Sequence, residues 1–283
     1  MTSIPTKDAA VLNLEKSAEL LSLEPKPLKG YSCFYLSPNL AQLTFPNTSN
    51  EIVRLRPGVY GSKRQNNSHW ALLLPNESGV LVFKPRRDST KKPRKIKKEV
   101  SKVPQRFVLI LYKPFKSEFK RKELSRLIAR TPLIRIKPGI VLAPQIRTGR
   151  FQLYQKVLLR PSQFIFRLLE LGSPTQYASR LELFNSVFTE EIETLIHQMF
   201  EKRVQRLVNA CRMLYTECGP PSTEKKPIIQ YKKRFKRLRQ QLHFLRWQSK
   251  FFKEELDIDI QRGVIRAASA VHRVHKRLQL CDA

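Results

Sequence analysis

The most regular pattern of apolar residues lies near the C-terminus, in residues 225–256. Its apolar side chains recur at alternating steps of three and four residues, with Ser249 filling the one gap in the series. They are Ile228, Tyr231, Phe235, Leu238, Leu242, Leu245, Phe252 and Leu256. This heptad spacing is typical of a helix that packs one stripe against other helices. We call this stripe the seam.

Apolar stripes of helical spacing flank this segment on both sides. The preceding one consists of Ile192, Leu195, Ile196, Met199, Val204, Leu207, Cys211 and Leu214, and the following one of Ile260, Val264, Ala267, Val271, Val274 and Leu278. Residues 219–221 (Gly-Pro-Pro) separate the first stripe from the second, because this sequence cannot continue a helix. Residues 187–283 are therefore predicted to form an antiparallel three-helix bundle.

The middle of the chain, residues 105–186, alternates between strand-like and helix-like patterns. The apolar run at 106–113 predicts a central strand buried on both faces. Further strands are predicted at 133–144, 151–159 and 177–184, and helices at 117–130 and 162–171. The resulting order β-α-β-β-α-β is that of the ferredoxin-like fold. Residues 145–150, rich in Arg and Gly, would form the tip between the second and third strands.

The N-terminal part is predicted to contain a lead, 1–30, with a short amphipathic helix at 8–23, followed by a small β-rich module, 31–85. Strands of this module are expected at 31–36, 52–60, 70–74 and 80–83, because turn-forming residues separate them. The sequence IVRLRPGV at 52–59 is echoed by LIRIKPGI at 133–140. Duplication and chance both explain so short an echo. The predicted fold class is α+β.

The segment between these parts, 86–104, has almost no apolar residues. Residues 84–104 contain ten basic residues, two acids and three prolines. Such a segment cannot bury a core and is predicted to be a flexible linker. Because neutralising phosphates releases condensed counterions, it would also bind a nucleic-acid backbone.

The overall charge points to the kind of partner. The chain of 283 residues has 54 Lys and Arg against 23 Asp and Glu, a net charge of +31. An excess of positive charge of this size favours nucleic acid as the binding partner, with an anionic membrane as the second choice. The sequence has neither a run of eighteen apolar residues nor a lipidation motif, so we expect no membrane partner. Four scattered cysteines without a CxxC pair fit a reducing, cytoplasmic compartment.

The seam-bearing segment is also the most basic helix. It holds eleven Lys and Arg between residues 225 and 253 and no acid. We interpret it as a nucleic-acid-facing element, the alternative being a solvated basic face. The predicted nucleic-acid-binding residues lie in the linker, at the 145–150 tip and on this helix: Lys91, Lys92, Arg94, Lys95, Lys97, Lys98, Arg147, Arg150, Lys232, Lys233, Arg234, Lys236, Arg237, Arg239 and Arg246. A second apolar stripe, Phe244, Trp247 and Phe251, is either core or a stacking surface for bases.

Catalytic chemistry is not predicted. The five aspartates are dispersed, whereas a metal-dependent nuclease needs clustered carboxylates. His272 and His275 share a helix face but lack a third ligand, so we predict no metal, no other cofactor and no enzymatic activity. An RNA-processing enzyme with His69 as general base is the enzymatic alternative.

The region from residue 104 onward resembles the N-terminal region of the chromate-resistance regulators (ChrB-type), which are related in fold to the PaaX-type repressors. The resemblance rests on FVLILYKPF at 107–115, on LIRIKPGIVLAP at 133–144 and on the basic helix that runs into Phe251-Phe252. Gly139, Ile140, Leu142 and Pro144 match a strand-end motif of that family. After the Phe pair the family continues with Pro-Gly, where this chain has Lys253-Glu254. The resemblance implies a DNA-binding transcriptional regulator.

The residues and the resemblance together predict a nucleic-acid-binding protein without catalytic activity, with DNA as the favoured partner. The alternative is a structural RNA-binding subunit of a ribonucleoprotein, or of a mobile-element or CRISPR-type complex, with further protein partners. CRISPR adaptation nucleases share the β-α-β-β-α-β unit, but they place an acid after the first strand, where this chain has Lys113-Pro114.

Overall fold

The structure, a computed structural model, describes residues 24–36, 52–63, 81–85, 106–145, 151–183, 187–218 and 225–282. The chain has a mixed α+β fold, with its helices in the C-terminal part. Its strands are β1 (Lys26–Pro27), β2 (Cys33–Leu36), β3 (Ile52–Arg56), β4 (Val59–Ser62), β5 (Leu81–Pro85), β6 (Phe107–Tyr112), β7 (Ile134–Lys137), β8 (Ile140–Pro144) and β9 (Thr175–Leu183). Its helices are α1 (Glu118–Arg130), α2 (Pro161–Glu170), α3 (Val187–Glu217), α4 (Lys225–Leu256) and α5 (Gln261–Asp282). The helix predicted at 8–23 and the strand predicted at 70–74 lie outside the described residues.

The strands form one sheet in the order β3-β4-β2-β5-β9-β6-β8-β7, with β1 paired to β9. Neighbours along this path are antiparallel, and β1 runs parallel to β9. The sheet therefore joins strands from residues 31–85 and 105–186, and β5 and β9 meet where the two sets of strands join.

Two segments that we predicted as single strands are β-hairpins instead. The segment 52–60 is divided between β3 and β4, and the segment 133–144 between β7 and β8. A Pro-Gly pair forms each turn, because Gly58 (φ +82°) and Gly139 (φ +87°) adopt the left-handed conformation that a tight turn requires.

The strand predicted at 151–159 is also wrong. These residues form turns, and Phe151, Tyr154 and Leu158 are buried. Phe151 and Tyr154 pack against Phe251 of α4, with ring centroids 6.2 and 5.2 Å apart. Their apolar character therefore reflects packing against a helix and not pairing in the sheet.

The continuous apolar strand β6 is buried on both faces, as predicted. Phe107, Leu109 and Leu111 face the core shared with α3, α4 and α5. The alternate residues Val108, Ile110 and Tyr112 face a second core formed with α1 and α2. The C-terminal half of the sheet is thus sandwiched between two helical layers, since side chains alternate across a strand.

Helix α3 connects the sheet with the other long helices. It packs on β5 and β7, and it also contacts α4 and α5. Ile192, Ile196 and Phe200 on this helix are almost completely buried. This packing fixes the position of α4 relative to β7.

Candidate nucleic-acid interface

Helix α4 is buried along the predicted seam. Every seam position from residue 235 to 256 is buried: Phe235, Leu238, Leu242, Leu245, Ser249, Phe252 and Leu256. Near the start of the helix, Tyr231 is only half-buried, and its hydroxyl donates a hydrogen bond to the Glu217 carbonyl (3.0 Å). The prediction that the seam is the core face of α4 is confirmed over these positions.

The C-terminal half of α4 is buried on a second side as well. Phe251 is fully buried, and the side chain of Gln248 is 1% exposed. The Gln248 amide nitrogen donates to the carbonyls of Ala129 (2.8 Å) and Thr131 (2.9 Å) at the end of α1. Of the two roles left open for the second apolar stripe, core is correct for Phe251, whereas Phe244 and Trp247 are half-buried.

The remaining side of α4 carries a row of exposed cationic and titratable side chains. They recur at steps of four and three: Lys232, Lys236, Arg239, His243, Arg246 and Lys250. We call this row the basic stripe. It lies beside the seam, on the side of the helix away from the second buried side. Lys233 and Arg237 are also exposed and lie toward the second buried side.

A few cations of α4 are held by acids. Arg234 forms an ion pair with Glu217 at the end of α3, and this hydrogen bond holds the pKa of the Glu217 carboxyl below its usual value. Lys250 lies 3.7 Å from Glu254, and Lys253 lies 3.9 Å from Asp259. Such exposed pairs contribute little to stability. Because residues 225–253 contain eleven cations and no acid, the helix keeps a strong net positive charge.

The predicted binding residues on α4 are thus on the surface. Lys232, Lys233, Arg234, Lys236, Arg237, Arg239 and Arg246 are all exposed on this helix. The predicted residues of the linker (Lys91, Lys92, Arg94, Lys95, Lys97 and Lys98), those of the tip (Arg147 and Arg150) and His69 lie outside the described residues. His275, considered above as half of a metal pair, stacks on Phe235 at 5.4 Å.

A second cationic feature, which is not predicted from the sequence, lies beside α4. A cavity of about 650 Å³ lies between β7, α1, α3 and α4. Among the described residues, five basic side chains and no carboxylate line it: Arg135, Lys137, Lys202, Arg203 and Arg206. We call it the basic cavity. No local sequence signal marks it, because its cations come from β7 and from α3, which are far apart in the chain.

Comparison with protein-family models, with curated proteins and with solved structures gave no match. Within the described residues, none of the helices is long and apolar enough to cross a lipid bilayer.

Proposed function

We propose that this protein binds nucleic acid without catalysing a reaction, as a cytoplasmic DNA-binding transcriptional regulator, and that the basic stripe is its main contact with phosphates. One observation carries the proposal: α4 has eleven basic residues and no acid between residues 225 and 253, and the basic stripe lies exposed beside the buried seam. The row of outward cations has no role in the core. A polyanion would relieve their mutual repulsion.

The fold is consistent with this function. The order β6-α1-β7-β8-α2-β9 and the strand order β9-β6-β8-β7 support a ferredoxin-like assignment for this part of the chain. The mutual packing of α3, α4 and α5 supports an antiparallel three-helix bundle. The resemblance to ChrB-type regulators gives the same class of function, and the linker at 86–104 would add phosphate contacts.

The length of the basic stripe suits a duplex. From Lys232 to Lys250 the helix rises by about 27 Å at 1.5 Å per residue. One turn of B-DNA is about 34 Å long. A straight helix of this length cannot follow one strand as it winds, but it can lie across a groove and contact phosphates on both sides of it.

A structural subunit of a ribonucleoprotein, mobile-element or CRISPR-type complex, with further protein partners, is the second candidate. It is favoured by Trp247, which is half-buried beside the basic stripe, with the Lys250 ammonium 5.5 Å from its ring centroid. An aromatic ring beside cations suits unpaired bases, which stack on aromatic side chains. Titrations with duplex DNA, hairpin RNA and single strands distinguish the two candidates.

The test is a charge reversal on α4, with Lys232, Lys233, Lys236 and Arg239 all changed to Glu. Because these side chains are exposed, we expect the melting temperature to stay the same or to rise slightly. Most of the binding of duplex DNA, measured by fluorescence anisotropy, should be lost. The dependence of log Kd on log salt for the residual binding should weaken by about 0.9 for each phosphate contact removed.

The matched control reverses four exposed cations away from α4: Lys29, Lys113, Lys116 and Arg121. It changes the net charge by the same amount, so it separates a binding surface from a general effect of charge. If both variants lose affinity equally, the basic stripe is not the specific contact. Undiminished binding by the α4 variant would assign binding to another part of the chain, such as the linker.

A further inference from the structure

The basic cavity has the size of a small-molecule site. Its volume of about 650 Å³ lies within the range of about 300–1,000 Å³ that is typical of ligand pockets. It is separate from the basic stripe, because its α4 residues, among them Phe244 and Gln248, lie on another side of that helix.

The charge of the basic cavity is unbalanced. Arg135, Lys202 and Arg206 are exposed at its surface, and Arg203 is half-buried. Burial, followed by the nearby charges of Arg135 and Arg206, lowers the pKa of Arg203 to about 10, so this guanidinium remains charged at neutral pH. Like charges gathered in a partly desolvated site repel each other unless an anion lies among them.

The hydrogen-bonding groups of the cavity are also incompletely satisfied. The buried ammonium nitrogen of Lys137 has no hydrogen-bond partner among the described residues. A buried polar atom without a partner is costly and commonly marks the place of a bound ion or water. By contrast, Arg203 donates to the side-chain oxygen of Gln248, which holds the guanidinium in place.

Part of the cavity lining is apolar. Ile136, Met199 and Phe244 contribute to the lining of the same cavity. A ligand that is charged at one end and flat and apolar at the other would satisfy both parts, because guanidinium groups bind phosphate and aromatic rings stack on bases.

We infer that the basic cavity binds a phosphorylated nucleoside, with its phosphates on Arg135, Arg203 and Arg206 and its base against the wall formed by Phe244 and Met199. Two sources provide this chemistry, a free nucleotide and the 5′-phosphorylated end of a nucleic-acid strand. The inference goes beyond the proposed function and does not require the basic stripe to bind nucleic acid.

The test measures binding to the full-length chain by isothermal titration calorimetry, with ATP, adenosine and tripolyphosphate as separate probes. The variant changes Arg135 and Arg206 to Gln, which removes two exposed cations and leaves Arg203 in place. The control changes Lys116 and Arg262 to Gln, two exposed cations that do not line the cavity. Both variants are checked for an unchanged melting temperature in the absence of ligand.

We expect ATP to bind the unmodified chain and the control within twofold of each other, and the cavity variant at least tenfold more weakly. Adenosine and tripolyphosphate should each bind at least tenfold more weakly than ATP, because each lacks one half of the ligand. Equal ATP affinity in the cavity variant and the control overturns the site. Adenosine or tripolyphosphate binding as tightly as ATP overturns the ligand class.

A second pair of probes distinguishes the sources, namely one duplex prepared with a 5′-phosphate and with a 5′-hydroxyl. Tighter binding of the phosphorylated duplex by the unmodified chain, but not by the cavity variant, assigns the site to strand ends. ATP binding without such a difference assigns it to free nucleotides. If neither ATP nor the 5′-phosphate contributes to binding, the inference is overturned. ATP is titrated without nucleic acid, so its result is independent of the proposed function.

Discussion

At the scale of single residues, Gly139 shows how closely the backbone packs in the β7–β8 hairpin. Its φ of +87° is accessible mainly to glycine. A Cβ atom at this position would lie 2.7 Å from the carbonyl oxygen of Tyr112 in β6. Since the atom in the way belongs to the backbone, a larger residue has to displace the strand.

We therefore expect Gly139→Ala to lower the free energy of unfolding by more than the cost of placing alanine at a positive φ. The control is Gly30→Ala, because Gly30 has a similar φ of +82° but nothing within 4 Å of the added Cβ. Strain at a positive φ costs about 1 kcal/mol, so the control should lose about that much in urea unfolding and Gly139→Ala should lose more. Equal losses would show that β6 gives way to the extra atom at no cost.

The buried residues of the α4 seam could be predicted from the sequence, because heptad spacing depends only on neighbouring positions in the chain. Even Ser249, the polar position in the gap, is buried as the spacing requires. The burial of Gln248 could not be predicted in this way, because its partners are carbonyls at the end of α1, more than a hundred residues earlier in the chain. The basic cavity was missed for the same reason.

At the scale of elements, the two Pro-Gly hairpins have the same pairing. Arg56 pairs with Val59 and Arg54 with Tyr60, and each strand pair has one irregularity before its turn. Lys137 pairs with Ile140 and Arg135 with Val141 in the same way. The order β3-β4-β2-β5 also repeats in β7-β8-β6-β9. The short sequence echo is thus part of a repeated strand arrangement, which favours duplication over chance.

The error at 151–159 shows a limit of apolar patterns. A short apolar run fits a strand, a buried helix or a packed turn equally well when only its periodicity is considered. Here Phe151 and Tyr154 face the aromatic side chains of α4, so tertiary packing decides the structure. The hairpins were mispredicted because a Pro-Gly pair can bend a strand or reverse it, and the partner strand decides which occurs.

The packing of α4 can be tested by changing Leu238 and Leu242 to Ala. Both are buried in the seam, so we expect each change to destabilise the protein by about 2–5 kcal/mol. The control is Gln240→Ala on the exposed side of the same helix, which should leave stability within about 0.5 kcal/mol. Urea unfolding followed by circular dichroism measures the difference. A double variant that unfolds at the same urea concentration as the unmodified chain would contradict the seam.

At the scale of the whole molecule, the net charge of +31 affects stability and binding in opposite ways. Repulsion between cations destabilises the compact state. Salt shortens the screening length from about 10 Å at 0.1 M to about 3 Å at 1 M. We therefore expect the melting temperature to rise as sodium chloride is increased from about 0.05 to 0.3 M.

Affinity for duplex DNA should fall over the same range, on the order of a thousandfold or more if six or more phosphates are contacted. Parallel melting and anisotropy titrations in the same buffers check both trends. A melting temperature that falls with salt would show that attractive ion pairs outweigh repulsion. An affinity that does not depend on salt would contradict phosphate binding.

The junction between β5 and β9 has a consequence for the synthesis of the chain. Phe83 pairs with Leu183, so one edge of β5 stays unpaired until a strand 100 residues later in the chain has been synthesised. At translation rates of about 5–20 residues per second, this delay is on the order of 5–20 s. During this time the edge of β5 is open to pairing with other chains, which is the hazard of an unpaired strand. We expect a chaperone that acts on the emerging polypeptide to bind at this edge.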